Sequence, residues 1–385
     1  MHTTAPSALA HTAVLSTACG GSNDSLPRSA LAAAAIALCA GVPAWAQPAT
    51  GTVTVYGIVD ACAARVDLGA STLHTLRGGC LSGSRLGWRG SEDLGGGQRV
   101  YFTLESGFGL DTGALGQGGR FFGRKALVGL AGAWGAMEAG RDYAPAFYIV
   151  QPVDPMGLGI GSASNTIWTG APSTGAARVD NGINYLSPNW SGVSLRVQFA
   201  PGEQAAPAPS RSRDVLGLNL LYRKGNTIVG ASHARIANAT DSADDRATTL
   251  TARQNFGRFS LAAMVQFGAW EGTRSAAAPA SASSIFSRDY RSYLAGGSVR
   301  TGAAGVVNLS LKRYDDRTSG NFDATQLSAA YVHSLSKRTN LYAAYTRLKN
   351  ERASSYAVSD ASGAYTGVTP GASTSALALG IRHLF

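Results

Sequence analysis

The chain is short of acid and of cysteine: 23 Asp and Glu stand against 33 Lys and Arg in 385 residues, and there are only 4 Cys. Cysteines and histidines so few and so scattered have no zinc spacing, so neither a metal nor a cofactor is expected. After residue 46 no apolar run reaches the roughly 18 residues a membrane-crossing helix needs. No window of convincing length carries the amphipathic period of a soluble helix either. Enzyme signatures are missing as well: there is no Gly-x-Ser-x-Gly, no His-Glu-x-x-His and no P-loop. Of the histidines, His2 and His11 lie at the start, His74 near a loop, and His233 and His333 in different segments with no Ser/Asp motif beside them. Catalysis needs a nucleophile, a base and an orienting group, so an enzyme is a remote alternative. The net charge of +10 comes without a Lys/Arg run or a basic helix, which argues against nucleic acid and leaves anionic solutes or acidic lipid.

What is present begins with a targeting segment. Residues 31–42 form the one continuous apolar stretch; Arg28 precedes it and Ala44-Trp45-Ala46 follows. A charged region, a short apolar region and a small-x-small site describe a secretory signal cleaved after Ala46. Residues 1–27 make a polar lead longer than a signal needs, as expected if translation starts further downstream. Residues 1–46 are thus read as signal peptide and 47–385 as one domain. Cleavage removes one base, Arg28, and one acid, Asp24, so the charge balance is kept. It also removes Cys19 and Cys39, leaving Cys62 and Cys80 on either side of the first loop in an oxidising compartment. A bridge clipping that loop is the favoured reading and two unpaired thiols the alternative, because sequence does not show whether the Cα atoms approach.

Beyond Gln47 the dominant signal is period-2 alternation in segments of about eight to twelve residues. Phe259, Leu261, Ala263, Val265 and Phe267 share one parity; Ser260, Ala262, Met264, Gln266 and Gly268 share the other. Val100, Phe102 and Leu104 likewise oppose Arg99, Tyr101, Thr103 and Glu105, and Val307, Leu309 and Leu311 oppose Asn308, Ser310 and Lys312. Alternation alone fits a soluble sandwich or a membrane barrel. Three features favour the barrel. Charges such as Arg99, Glu105, Arg196 and Lys312 fall mid-strand on the polar parity, as a wet lumen allows. Tight turns (Asp93-Leu94-Gly95-Gly96-Gly97, Lys224-Gly225-Asn226, Asn255-Phe256-Gly257) alternate with long Ala/Ser/Gly-rich loops at 201–214, 272–288 and 350–375. The chain closes on an alternating strand with Phe385 last. Lipid offers no water to unpaired backbone groups, so strands cross it only as a closed sheet. An even number is expected, and sixteen fits the segment count. Tyr331, Tyr342 and Tyr345 are expected in interfacial girdles.

One stretch breaks the pattern. Residues 141–178 form a long Gly/Pro/Ser/Thr-rich segment whose two interior acids are Asp142 and Asp154. Loops of that length in a compact fold are usually functional. Phe147, Tyr148, Ile149, Met156, Leu158 and Trp168 mark it as packed against a wall rather than solvated.

Several motifs now carry a resemblance. Val53-Thr54-Val55-Tyr56-Gly57, Ser84-Arg85-Leu86-Gly87-Trp88, Phe122-Gly123-Arg124-Lys125-Ala126, Ala139-Gly140-Arg141-Asp142-Tyr143, Asn184-Tyr185-Leu186-Ser187-Pro188 and the closing Gly380-Ile381-Arg382-His383-Leu384-Phe385 occur in order along the mature chain. In this the chain resembles the Gram-negative general porins of the β-proteobacterial type. The resemblance implies an all-β, closed transmembrane antiparallel barrel of sixteen strands with the third loop folded inward. It further implies a homotrimer in the outer membrane, with lipid and small anionic or hydrophilic solutes as its partners. Matched residue by residue, it places Arg85, Arg124 and Arg178 at the channel eyelet, opposite Asp154 on the third loop. Parity independently puts Arg85 inside, since Leu86 and Trp88 take the lipid-facing set. A passive channel favouring anions is the expected function, with a solute-specific channel for an organic anion or sugar as the alternative. His383 stands where such chains often carry an apolar residue, the third loop lacks a Pro-Glu-Phe-Gly stretch, and Cys62 and Cys80 match no family pattern.

Overall fold

Side chains alternating between oil and water let each strand pair on both edges only if the sheet returns to its start. In the computed structural model this is what happens. It describes residues 51–385 apart from 158, 163–176, 204–212, 238–243, 271–288, 321 and 352–353. The signal peptide read at 1–46, Leu158 and Trp168 lie outside the described residues.

The strands are β1 (Thr52–Asp67), β2 (Thr72–Gly78), β3 (Arg85–Gly95), β4 (Gln98–Gly107), β5 (Lys125–Gly132), β6 (Gly135–Tyr143), β7 (Arg178–Leu186), β8 (Val193–Ala200), β9 (Val215–Lys224) and β10 (Thr227–Ala237). They continue as β11 (Asp244–Phe256), β12 (Phe259–Trp270), β13 (Asp289–Thr301), β14 (Gly305–Asp316), β15 (Ala324–Ser334) and β16 (Thr339–Asn350). A small hairpin, β17 (Ser359–Asp360) with β18 (Gly363–Ala364), precedes the last strand, β19 (Thr374–Leu384). Seventeen strands form one antiparallel sheet, and β1 closes it on β19 in register from Ile58↔Leu384 to Asp67↔Ser375. Because β2 and β3 both pair with β1, one above the other, they share a single stave, and the barrel has sixteen.

Antiparallel neighbours put successive connections at opposite ends. Gly96 and Gly97, 225–226 and 257–258 make tight turns at one end, and Gly225 takes φ +56, where a side chain would be strained. Connections 144–177 and 351–373, the third and eighth at the other end, are long. We refer to them as L3 and L8. The greasy parity faces outward: Leu261 is 60% exposed and Leu309 51%, whereas Ser310 and Lys312 on the other parity of β14 are 1% exposed. Tyr331 and Tyr345 share that outward face. Tyr342 corrects the girdle expectation, since its parity turns it inward, where it is buried and donates to Asp60 at 2.6 Å. Arginine in place of Leu309 is expected to cost about 2–4 kcal/mol of barrel stability, the penalty of a cation at the bilayer midplane. Urea unfolding of the lipid-inserted protein measures it, and an unchanged midpoint would contradict the assignment of this face to lipid.

The inside is only partly polar. Ile149, Val150 and Val153 of L3 pack on Ala262, Met264 and Leu294 of β12 and β13. A larger apolar cluster joins Met156 and Ile160 of L3 and Tyr356, Val358 and Tyr365 of L8 to Val66, Tyr314 and Leu348 of the wall. Both loops therefore fold into the lumen and fill one side of it. The inward turn of L3 was legible from its aromatic and apolar residues. That of L8 was not foreseen, although Tyr356, Val358 and Tyr365 stand out in a loop otherwise rich in Ala, Ser and Gly.

Candidate functional site

L3 leaves β6 through Tyr143, makes one short helix at Pro145–Val150, and runs around the inner wall. Pro145 supports that start, being the residue best tolerated in a first helical turn. A loop buried in this way needs partners for its carbonyls, and successive strands provide them. Gln198 Nε2 of β8 donates to Tyr143 O at 3.1 Å, and Asn219 Nδ2 of β9 to Pro145 O at 2.7 Å. Thr251 Oγ1 of β11 donates to Ile149 O at 3.1 Å, Lys312 Nζ of β14 to Ser162 O at 2.6 Å, and Gln326 Nε2 of β15 to Gly161 O at 2.9 Å. Strand β8 thus holds the root of L3, and β9, β11, β14 and β15 hold the loop against the wall.

The arginines gather on the other wall. Arg124, just before β5, donates Nε to Glu105 Oε1 at 2.6 Å and Nη2 to the Tyr143 hydroxyl at 2.8 Å. Arg178, the first residue of β7, donates Nη2 to the same hydroxyl at 2.6 Å and lies 4.3 Å over the Tyr143 ring. Arg85, the first residue of β3, approaches Glu105 at 3.9 Å and is within electrostatic range of Arg124 and Arg178. A hydroxyl oxygen has two acceptor positions, so Tyr143 ties two guanidiniums together while stacking at 3.8 Å on Phe147. Three cations face one carboxylate, leaving an excess of positive charge. Arg124 is buried behind its partners, while Arg85 and Arg178 keep some exposure.

The acid that meets these arginines is Glu105, not Asp154. Alternation had put Glu105 on the wet parity of β4, but no motif singled it out. Asp154 lies in electrostatic range of Arg253 of β11 and Lys312 of β14, because L3 has by then crossed to the far wall. Its Oδ1 accepts the Met156 amide at 3.0 Å, which turns the loop there. The other interior acid of the segment, Asp142, belongs to a neutralised network. Lys125 Nζ is 2.7 Å from Asp142, Tyr148 donates to Asp142 at 2.6 Å, and Arg196 bridges Asp142 at 3.0 Å and Glu138 at 3.2 Å. The bulge at Gly140, φ +129, sets up this network by shifting the register before Asp142. Arg141 and Arg120 both pair with Asp180. Arg382, interior on β19, donates to Asn340 Oδ1 at 2.7 Å and Ser82 Oγ at 3.0 Å. L8 brings Asp360 into the lumen against Arg77 at 3.0 Å, and burial raises the Asp360 carboxyl despite that cation. Cys62 of β1 and Cys80 after β2 are joined in a disulfide with their Cα atoms 6.2 Å apart.

The arrangement is a wall of excess positive charge facing an inward loop within a closed barrel, which suits the selective passage of small solutes. Comparison with known proteins agrees. A Gram-negative porin family model matches residues 30–353. Outer membrane porin protein 32 of Delftia acidovorans is 33% identical over 369 residues, covering 91% of this chain and 99% of that protein. An outer membrane porin protein of Bordetella pertussis is 29% identical over 91% of this chain and 98% of its own. Among solved structures, the anion-selective porin from Comamonas acidovorans superposes with a TM-score of 0.74 at 32% identity, covering 87% of this chain and all of that one.

Proposed function

This chain belongs to the Gram-negative porin family of passive channels in the bacterial outer membrane, and on that premise we propose that it is a homotrimer whose eyelet favours small anions. The observation that carries the reading is the gathering of Arg85, Arg124 and Arg178 around Tyr143, with the one carboxylate Glu105 paired to Arg124 and approached by Arg85. Charged side chains at a constriction set the barrier for ions of each sign. Low-dielectric walls concentrate that field and raise the local anion concentration. The similar structure from Comamonas acidovorans is, by its title, an anion-selective porin, and it supports the same reading here. No catalysis is assigned to the chain.

In a planar bilayer under a KCl gradient, the reversal potential of the wild-type channel is expected to show chloride preferred over potassium. The preference should fade as salt rises, since screening acts over roughly 10 Å at 0.1 M. A cation preference would overturn the reading. In liposomes, swelling rates are expected to fall smoothly with solute size, and one outlying solute would mark a specific channel instead. Chemical cross-linking of the detergent-purified protein is expected to stop at three subunits.

A further inference from the structure

Resting on that reading of the eyelet, we propose that the Cys62–Cys80 disulfide is a positioning device for the pore. It fixes a break in the barrel wall to which both inward loops, Arg85 and Arg382 are tied.

The break is residues 79–84. β2 pairs with β1 as far as Ala61↔Gly78, and β3 resumes at Ile58↔Arg85, so the intervening residues leave the ladder opposite Val59 and Asp60. Backbone groups that leave a ladder need new partners. Asp60 supplies two: its Oδ2 accepts the Ser82 amide at 3.0 Å, and its own amide donates to Ser84 Oγ at 3.1 Å. The carbonyls at the start of the break accept from the loops. Ile160 N of L3 donates to Cys80 O at 2.7 Å, Ala361 N of L8 to Gly79 O at 3.1 Å, and Ser362 Oγ to Gly78 O at 2.7 Å. L3 and L8 also meet directly, Gly161 N donating to Ser359 O at 3.2 Å. At the far end of the break, Ser82 Oγ accepts from Arg382 and Gly83 O accepts from Arg85 Nε at 3.0 Å.

One short excursion therefore sets the spacing between the loop tips and the arginine wall. Having no ladder of its own, it is held by individual hydrogen bonds and by the covalent bond from Cys80 to Cys62. That bond is made beside the two carbonyls that carry L3 and L8, at Cys80 and Gly79. Both cysteines are at most 2% exposed, so a soluble reductant does not reach them in the folded barrel. The bond is a permanent brace.

The test compares purified wild-type protein with a Cys62→Ala/Cys80→Ala variant, after far-UV circular dichroism has shown an intact barrel. In the variant, open-channel current variance is expected to rise about threefold, because the break and the two loop tips move together. The chloride-to-potassium permeability ratio is expected to fall about twofold as Arg85 and Arg382 lose a fixed support. A folded variant with wild-type variance and wild-type ratio overturns the proposal; a role in stability alone would move the unfolding midpoint and neither of these. Should the double variant fail to fold, Arg77→Met with Ser362→Ala cuts the side-chain ties of L8 while leaving the disulfide and the Ala361–Gly79 backbone bond. Broadened conductance then supports the keystone role of the break, and wild-type conductance overturns it. A wild-type channel that prefers potassium would sink the arginine reading while leaving the variance test of the brace intact.

Discussion

Alanine at both Arg85 and Arg178 is expected to remove most of the anion preference and bring the reversal potential in a KCl gradient close to that of free diffusion. These are the two members of the cluster that keep exposure: Arg85 shares Glu105 with Arg124, and Arg178 shares the Tyr143 hydroxyl with it. Taking them away leaves Arg124 balanced by Glu105, so the cluster becomes neutral. A unit charge about 4 Å from a passing ion contributes roughly 1 kcal/mol even at the dielectric of water. Losing two such charges should lower the chloride-to-potassium ratio roughly tenfold at 0.1 M salt, allowing for screening over about 10 Å. The effect should shrink steadily towards 1 M. An unchanged ratio in a folded double variant would place the selectivity elsewhere in the lumen.

Arg124→Ala should act on a different quantity. Its guanidinium is buried and holds Glu105 at 2.6 Å and Tyr143 at 2.8 Å. Truncating one partner of a buried pair costs about 3–5 kcal/mol when the other charge is left alone. Here Arg85 at 3.9 Å and the Tyr56 hydroxyl at 3.0 Å compensate Glu105 in part and put the loss at the lower end of that range. The expected outcome is a much lower unfolding midpoint in urea, with a smaller change in selectivity than the Arg85/Arg178 pair gives. Glu105→Gln added to Arg124→Met should recover much of the stability by removing the stranded carboxylate. If Arg124→Ala instead kept the wild-type midpoint and lost selectivity, Arg124 would belong to the pore lining and not to its foundation.

Strand parity was legible in the chain because lipid and water act on every second side chain, and so Leu309, Lys312 and Arg85 could be sided from the sequence alone. Arg124 and Arg178 needed the family motifs: the first stands outside any strand, and the second at the very start of one. Glu105 was visible as a charge on the wet face, but its pairing with Arg124 depends on which strands are neighbours. Asp154 is the prominent acid of the third loop, and local sequence therefore suggests it as the partner of the arginines. The course of that loop to the far wall is fixed by donors on β9, β11, β14 and β15, and no local pattern encodes it. Tyr342 was assigned by residue type to an interfacial girdle, although its parity with Asn340 and Ala344 already pointed inward. L8 was hidden for a similar reason, since the apolar surface it covers belongs to β1, β13, β14 and β16.

The way L3 is suspended bears on how the channel behaves in brine. The wall donors to its carbonyls are mostly uncharged amides or a hydroxyl, on Asn219, Thr251 and Gln326 and, at its root, Gln198, while Lys312 is a cation, as is Lys125 on the Tyr148 hydroxyl. Dissolved electrolyte weakens attraction between ions but hardly touches such neutral contacts. The bore should therefore keep its size from dilute to concentrated medium while its preference among ions fades, giving a sieve of constant mesh whose charge filter is set by the surroundings.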